Sequence, residues 1–160
     1  MALGDNTLRS AAGNSQRGRN PYIVQTTLNW ATALSDKGGA LAAADVVPVI
    51  AVPKGTMILN AGIEVDTATD GSTFTVDLGM VDADVFVDGF DATSAAAVVA
   101  QNPAAYQPVM AVADDNIDLT IASLSGGAVT SGKLRIWAVL MDCTEMGDMA
   151  ANEVDRDTLA

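Results

Sequence analysis

The stretch Thr73-Phe-Thr-Val-Asp-Leu-Gly-Met80 decides the fold class. Phe74, Val76, Leu78 and Met80 alternate with Thr73, Thr75, Asp77 and Gly79. Successive side chains of a strand point to opposite faces, so this two-residue period predicts a strand with one face on a core and the other in water. The dipeptide Asp70-Gly71 just before it is a strong turn signal.

Outward from this strand the same grammar repeats. Ile117, Leu119 and Ile121 alternate with Asp118, Thr120 and Ala122. Val46–Val52 is rich in β-branched residues and interrupted by Pro48, which cannot donate to a ladder, so it reads as an edge or bulged strand. Lys54-Gly55 marks a turn, with strand-like Thr56–Asn60 and Gly62–Asp66 after it. Lys133–Met141 differs: Leu134, Ile136, Ala138 and Leu140 line one face, and Trp137, Val139 and Met141 line the other. A strand apolar on both faces lies either between two layers or at a subunit interface, which makes Trp137, Val139 and Met141 candidate interface residues. Asp82–Met110 contains an alanine-rich run, Ala95–Ala100, and reads as a short helix or a long loop. Many short strands with Gly, Pro and Asp turns and little helix predict a mainly β fold, an antiparallel β-sandwich or barrel of jelly-roll-like type.

The ends of the chain read differently. Residues 1–30 lack either apolar period and carry Arg9, Arg17 and Arg19 against the single acid Asp5, a local charge of +2. Since the whole chain carries −12, the remainder carries −14. The plain reading of this segment is a solvated tail. The sharper one is an extended arm that orders on a partner, with Arg9, Arg17 and Arg19 as charges and Tyr22, Ile23, Leu28 and Trp30 as anchors, because aromatic residues concentrate at interface hot spots. Residues 31–45 read as a linker or a helical turn broken at Gly38-Gly39. The predicted division is an arm and linker over 1–45, a β-sandwich over 46–142, and an acidic tail over 143–160.

Composition narrows the function. The 160 residues include no histidine and one cysteine, which excludes Ser–His–Asp and Cys–His nucleophile systems, His-containing zinc sites and an intrachain disulfide. Eight cations against twenty acids argue against a nucleic-acid surface. The longest apolar stretch, Val46 to Pro53, is far short of the ~20 residues that span a bilayer, and the N-terminus lacks the pattern of a secretory signal. Apolar residues make up 49% and aromatics only 4%, so the core is built of small aliphatic side chains, and association with copies of itself would help it.

Several motifs resemble chemical sites and fail on inspection. Gly127-Ala-Val-Thr-Ser-Gly132-Lys133 has the glycine and lysine spacing of a phosphate-binding loop. However, Leu134 replaces the required hydroxyl, and a strand follows where a helix N-terminus is needed, so a hairpin loop is expected. Asp82, Asp84, Asp88 and Asp91 around Gly89 suggest a calcium loop, but Phe86 and Thr93 occupy ligand positions of the EF-hand pattern. Asp114-Asp115 and Asp82/Asp84 are carboxylate pairs with nothing that sets an acid opposite a base. Ser131 with Lys133 is a chance spacing, and Cys143 has no histidine partner. The expectation is a non-enzymatic protein without catalytic residues, metal or cofactor.

The segments Val49-Ile-Ala-Val-Pro-Lys-Gly-Thr-Met-Ile58, Ala113-Asp-Asp-Asn-Ile-Asp-Leu-Thr-Ile121 and Lys133-Leu-Arg-Ile-Trp-Ala-Val-Leu-Met-Asp142 resemble the capsid decoration, or cement, proteins of tailed bacteriophages. The likeness spans residues 46–142 and rests on strand patterns and turns. It implies a β-sandwich that trimerises on the outside of the expanded shell at local three-fold positions, with the major capsid protein and itself as partners. An N-terminal arm in such proteins reaches over neighbouring capsid subunits, and the implied location is the outer surface of the virion. The contrasting expectation is a phage fibre or adhesin-type module that binds a host-surface ligand through loops Asp82–Asp91 and Asn102–Pro108.

Overall fold

The computed structural model describes residues 9–10, 20–94, 99–101 and 108–143, with the backbone alone at 9–10 and 99–101. Ten strands and one helix follow in order: β1 Arg9–Ser10, β2 Tyr22–Asn29, α1 Trp30–Lys37, β3 Val46–Val52, β4 Thr56–Thr67 and β5 Thr73–Gly79. The rest are β6 Val87–Asp91, β7 Val99–Gln101, β8 Val109–Met110, β9 Asp115–Ser125 and β10 Lys133–Asp142. They form two five-stranded sheets. Sheet A runs β1-β3-β9-β5-β6, and sheet B runs β2-β10-β4-β7 with β8 on β4 as well.

Setting aside the two-residue strands β1 and β8, the first, last, third and sixth strands share one sheet, and the second, seventh, fourth and fifth share the other. This interleaving gives the expected antiparallel β-sandwich its jelly-roll-like order. Every ladder is antiparallel except that of β1, which lies parallel to β3 with Arg9 opposite Ile50. β10 is the middle of sheet B, antiparallel to β2 on one side and β4 on the other. β9 holds the same place in sheet A between β3 and β5.

The inward set of each strand makes the core. Val47, Val49, Phe74, Val76, Leu78, Ile117, Leu119 and Ile121 come from sheet A, and Leu28, Ile58, Ile63, Val65, Leu134, Ile136 and Leu140 from sheet B. β3 is bulged between Pro48 and Ile50 as expected, since proline withholds a ladder donor there. The two short strands expected at Thr56–Asn60 and Gly62–Asp66 are one strand, β4, whose register with β10 shifts between Val139 and Leu140.

Two expectations change and one is decided. Tyr22–Asn29 is a strand of sheet B and not part of an extended arm, because its inward residues Tyr22, Val24, Thr26 and Leu28 pack on the core while it pairs with β10. The stretch 31–45, expected as a linker or a helical turn, takes the helical form: α1 runs over Trp30–Lys37, capped by the Asn29 side chain, which accepts from the Ala31 amide at 3.0 Å. The helix stops at Gly38, whose φ of 68° suits a residue without Cβ and whose N–H donates to Leu34 and Ser35. Asp82–Met110 contains strands β6, β7 and β8. The alanine run at 95–98, residues 1–8 and 11–19, and the tail from 144 onward lie outside the described residues.

The segment that links the two sheets through α1 is held at several points. Trp30 donates its amide to the Gly132 carbonyl at 3.1 Å, and its fully buried ring stands perpendicular to Phe74 at 4.8 Å. Lys37 forms an ion pair with Asp45, which also accepts from the Ala42 amide at 2.7 Å. Burial of Asp45 works against its charge, but these donors outweigh it and hold the carboxyl below its usual range.

Candidate functional site

The expected arm residues divide. Arg17 and Arg19 lie outside the described residues, and Arg9 is placed by its backbone in β1. Leu28 and Trp30 are fully buried in the core, and Tyr22 packs half-buried against it. A side chain closed inside its own domain has no surface to give a partner, so Leu28 and Trp30 are structural residues and not arm anchors. Of the four expected anchors, Ile23 alone points out, 68% exposed.

Ile23 meets the other candidate set. On the outer face of sheet B, Val139 stands opposite Ile23, Trp137 opposite Gln25 and Gly62, and Met141 opposite Met57. Trp137, Val139, Met141 and Met57 are half-buried. The second apolar face of β10 therefore looks outward, and sheet A covers only the first. Gly62, opposite Trp137, adds no side chain to this face. Arg135 closes one end of the stripe, donating to Glu64 at 2.9 Å with Asp66 at 3.7 Å. The stripe from Ile23 through Val139 to Met141 is apolar in a molecule that is otherwise strongly acidic, and the acids at its end, Glu64 and Asp66, face the Arg135 guanidinium.

Sheet A presents the opposite chemistry. Asp77, Asp91 and Asp118 stand on strands β5, β6 and β9. Burial and the nearby Asp115 charge push Asp118 up to about 6, since both disfavour its charged form. Asp91 is held low by donation from the Thr93 hydroxyl and amide, at 2.6 and 2.9 Å.

Two of the expected acids, Asp114 and Asp115, fix local structure: Asp114 accepts the Lys54 amide at 2.9 Å and Asp115 the Asn116 amide at 2.8 Å, while the strand residue Asp77 accepts the Gly89 amide at 2.7 Å. Asp82 shares a hydrogen bond with Asp84, whose like charge pushes the Asp82 carboxyl up. Among the described residues no three acids or thiols gather as a cation cage. The loop expected at Asn102–Pro108 lies outside the described residues except for Pro108.

The glycine-rich stretch before Lys133 is a loop leading into β10 but not the expected hairpin loop, because β9 lies in sheet A and β10 in sheet B, so it crosses between the sheets. Gly132 has φ of 120°, and a Cβ there would come within 2.8 Å of Thr69 Cα. The loop is thus built for close packing on the β4–β5 connection. Cys143 donates its amide to Gly55 at 2.8 Å and is a half-buried free thiol.

A further surface carries no signature in the sequence. The turn after β5 and the turn before β9 enclose an apolar cleft of about 230 Å³ lined by Met80, Val81, Val85, Val109, Met110 and Val112. Its only sequence signal is that Val81 and Val112 fall in turns, where no core can take them.

No family model matches the chain, and no curated protein matches it. Solved structures do. A chain of the capsid of Ralstonia phage GP4 is similar at 14% identity and a TM-score of 0.59, with 86% of this chain and 92% of that chain covered. A chain of the capsid asymmetric unit of cyanophage Pam1 is similar at 16% identity and a TM-score of 0.58, with 83% of this chain and 92% of that one covered. At such identity the likeness is one of fold: this sandwich takes nearly the whole path of a chain found in two phage capsids.

Proposed function

We propose that this chain is a structural virion protein, a capsid decoration or cement protein that binds the outside of a phage head and ties major capsid subunits together. The observation that carries the reading is the coverage of the fold likeness: 92% of each of two capsid chains is matched, so the resemblance is to whole subunits and not to a shared hairpin. The chemistry agrees. Asp70, Asp91 and Asp114 fasten turns through backbone amides, and mechanical bridging of subunits needs neither catalytic residues nor cofactor.

In this reading the partners are the major capsid protein and further copies of the chain, assembled as a trimer. Ile23, Trp137, Val139 and Met141 form the face offered to neighbouring copies, where an uncharged apolar stripe lets acidic molecules approach. The N-terminal segment with Arg9, Arg17 and Arg19 is the arm that grips the shell, several copies acting together through avidity. The acids of sheet A face away from the shell and keep the particle surface soluble.

The test adds full-length protein to heads that lack it and reads binding by sedimentation and cryo-EM. Density at regular lattice positions on the outer surface is the expected result. Failure to bind heads, together with saturable binding to host cells, would establish the adhesin reading instead.

A further inference from the structure

Among the described residues the exposed large apolar side chains are Ile23, Val81, Met110 and Val112. All but Ile23 border the cleft between the β5–β6 and β8–β9 turns. Val81 is 97% exposed and Val112 82%. Such a concentration of apolar surface in one place on a soluble domain marks an interaction site.

The cleft is held in shape by backbone bonds. Met80 donates to the Asp82 carbonyl at 2.9 Å and Phe86 to Leu78 at 2.9 Å, while Ala111 exchanges bonds with Thr56 and Gly55 at 2.9 and 2.8 Å. Gly79 lets the first turn fold back onto β5: a Cβ there would lie 2.0 Å from the Asp82 carbonyl oxygen. The valines are thus presented on fixed turns, and a partner that lands on them loses little freedom in ordering the site.

The charge at the cleft names the partner. Asp82 and Asp115 line it and no lining residue is cationic. Asp84 crowds a second carboxylate onto Asp82, a like-charge pair that a bound cation would relieve. An anionic lipid surface or a nucleic acid would be repelled. A sugar would find no aromatic platform among the lining residues, and a second copy related by a two-fold axis would bring the same acids to the same place. We infer that this cleft is a docking site for a segment of a different protein in which aliphatic side chains, seated between Val81 and Val112, are flanked by Lys or Arg that reach Asp82 and Asp115. The inference stands apart from the virion reading, since it concerns the chemistry of the partner and not where the protein resides.

The test uses full-length ¹⁵N-labelled protein and a blocked heptapeptide of alternating Lys and Leu. The expected result is saturable shift changes centred on Val81, Met110 and Val112, weakened several-fold by high salt. The V81S/V112S double variant should lower the affinity about tenfold, equivalent to roughly 1.4 kcal/mol. Both positions lie on the surface, so an unchanged Tm will show that the variant is folded. Equal binding of a Ser/Lys peptide would overturn the inference by showing that charge alone suffices. Equal binding of a Leu/Glu peptide, or shifts centred on Ile23, would overturn it as well.

Discussion

Asp70 in the β4–β5 turn accepts three hydrogen bonds from the β9–β10 loop: from the Thr130 amide at 2.8 Å, the Thr130 hydroxyl, and the Ser131 amide at 3.1 Å. Asp70 and Thr130 are 60 residues apart, so one carboxylate joins two sheet-to-sheet connections that meet only in the folded state. Those donors, led by the Thr130 hydroxyl, hold Asp70 far below its usual range.

Replacing Asp70 tests the clasp. D70A should lower Tm by a few degrees at pH 7, and D70N by less, because an amide oxygen still accepts. A carboxylate depressed in the folded state stabilises above its unfolded pKa of about 3.9 and loses that contribution as pH falls below it. The gap between wild type and D70A should therefore narrow steadily below pH 4. Thermal melts across that range check it, and identical melting at pH 7 would exclude the clasp.

Asp118 titrates with the opposite sign. Its folded pKa of about 6 lies above the unfolded value of about 3.9, so the native state binds more protons in that interval and stability falls as pH rises through it. D118N removes the charge and should raise stability at pH 7 by about 1 kcal/mol, a value reduced for solvent screening of a half-exposed group. That corresponds to about 2–4 °C in Tm. At pH 4 the gain should be absent. Denaturant titrations at the two pH values measure it.

Trp30 offers a test of packing. Its ring is fully buried against Phe74, and its Nε1 finds no acceptor. W30A should cost about 3–5 kcal/mol through lost burial and a cavity. W30F should cost much less, because it keeps most of the ring and removes a buried donor that lacks a partner. Urea unfolding of the two variants separates the contributions.

The outer stripe of sheet B is tested by V139E. The residue is half-buried on an outward face, so the monomer should stay folded while charge enters the stripe. On the proposed trimeric assembly, the expected outcome in native mass spectrometry is loss of the trimer, with T75E on the outer side of sheet A leaving it intact. A V139E protein that remains fully trimeric would move the interface elsewhere.

The strands legible in the sequence are those with one wet and one buried face. Thr73–Gly79 and Asp115–Ser125 alternate cleanly because sheet A faces solvent with Thr, Asp and Ser. β2 was hidden because its pattern is inverted at two places: Thr26 is buried on the inward side and Ile23 exposed on the outward side. Those two residues erase the period that Tyr22, Val24 and Leu28 otherwise show. The apolar cleft was not legible for a different reason. Val81 and Val112 are 31 positions apart in an ordinary β-rich composition, and only the pairing of β4 with β8 beside the end of β5 brings their turns together. The outward face of β10 was legible as an apolar set, but its direction was not, since either side of a doubly apolar strand satisfies the same pattern.

The position of β10 has a consequence for synthesis. This strand, among the last residues described, lies between β2, near the beginning, and β4. A ribosome that has made everything up to Gly132 has made four of the five strands of sheet B, with an empty lane between β2 and β4 and no short-range route to fill it. Completion is therefore a single late event, which closes the sheet only when the final strand clears the exit tunnel. A chain cut short before β10 leaves that lane empty and has no stable sandwich, so the connectivity of the fold itself keeps such fragments from acting as complete subunits.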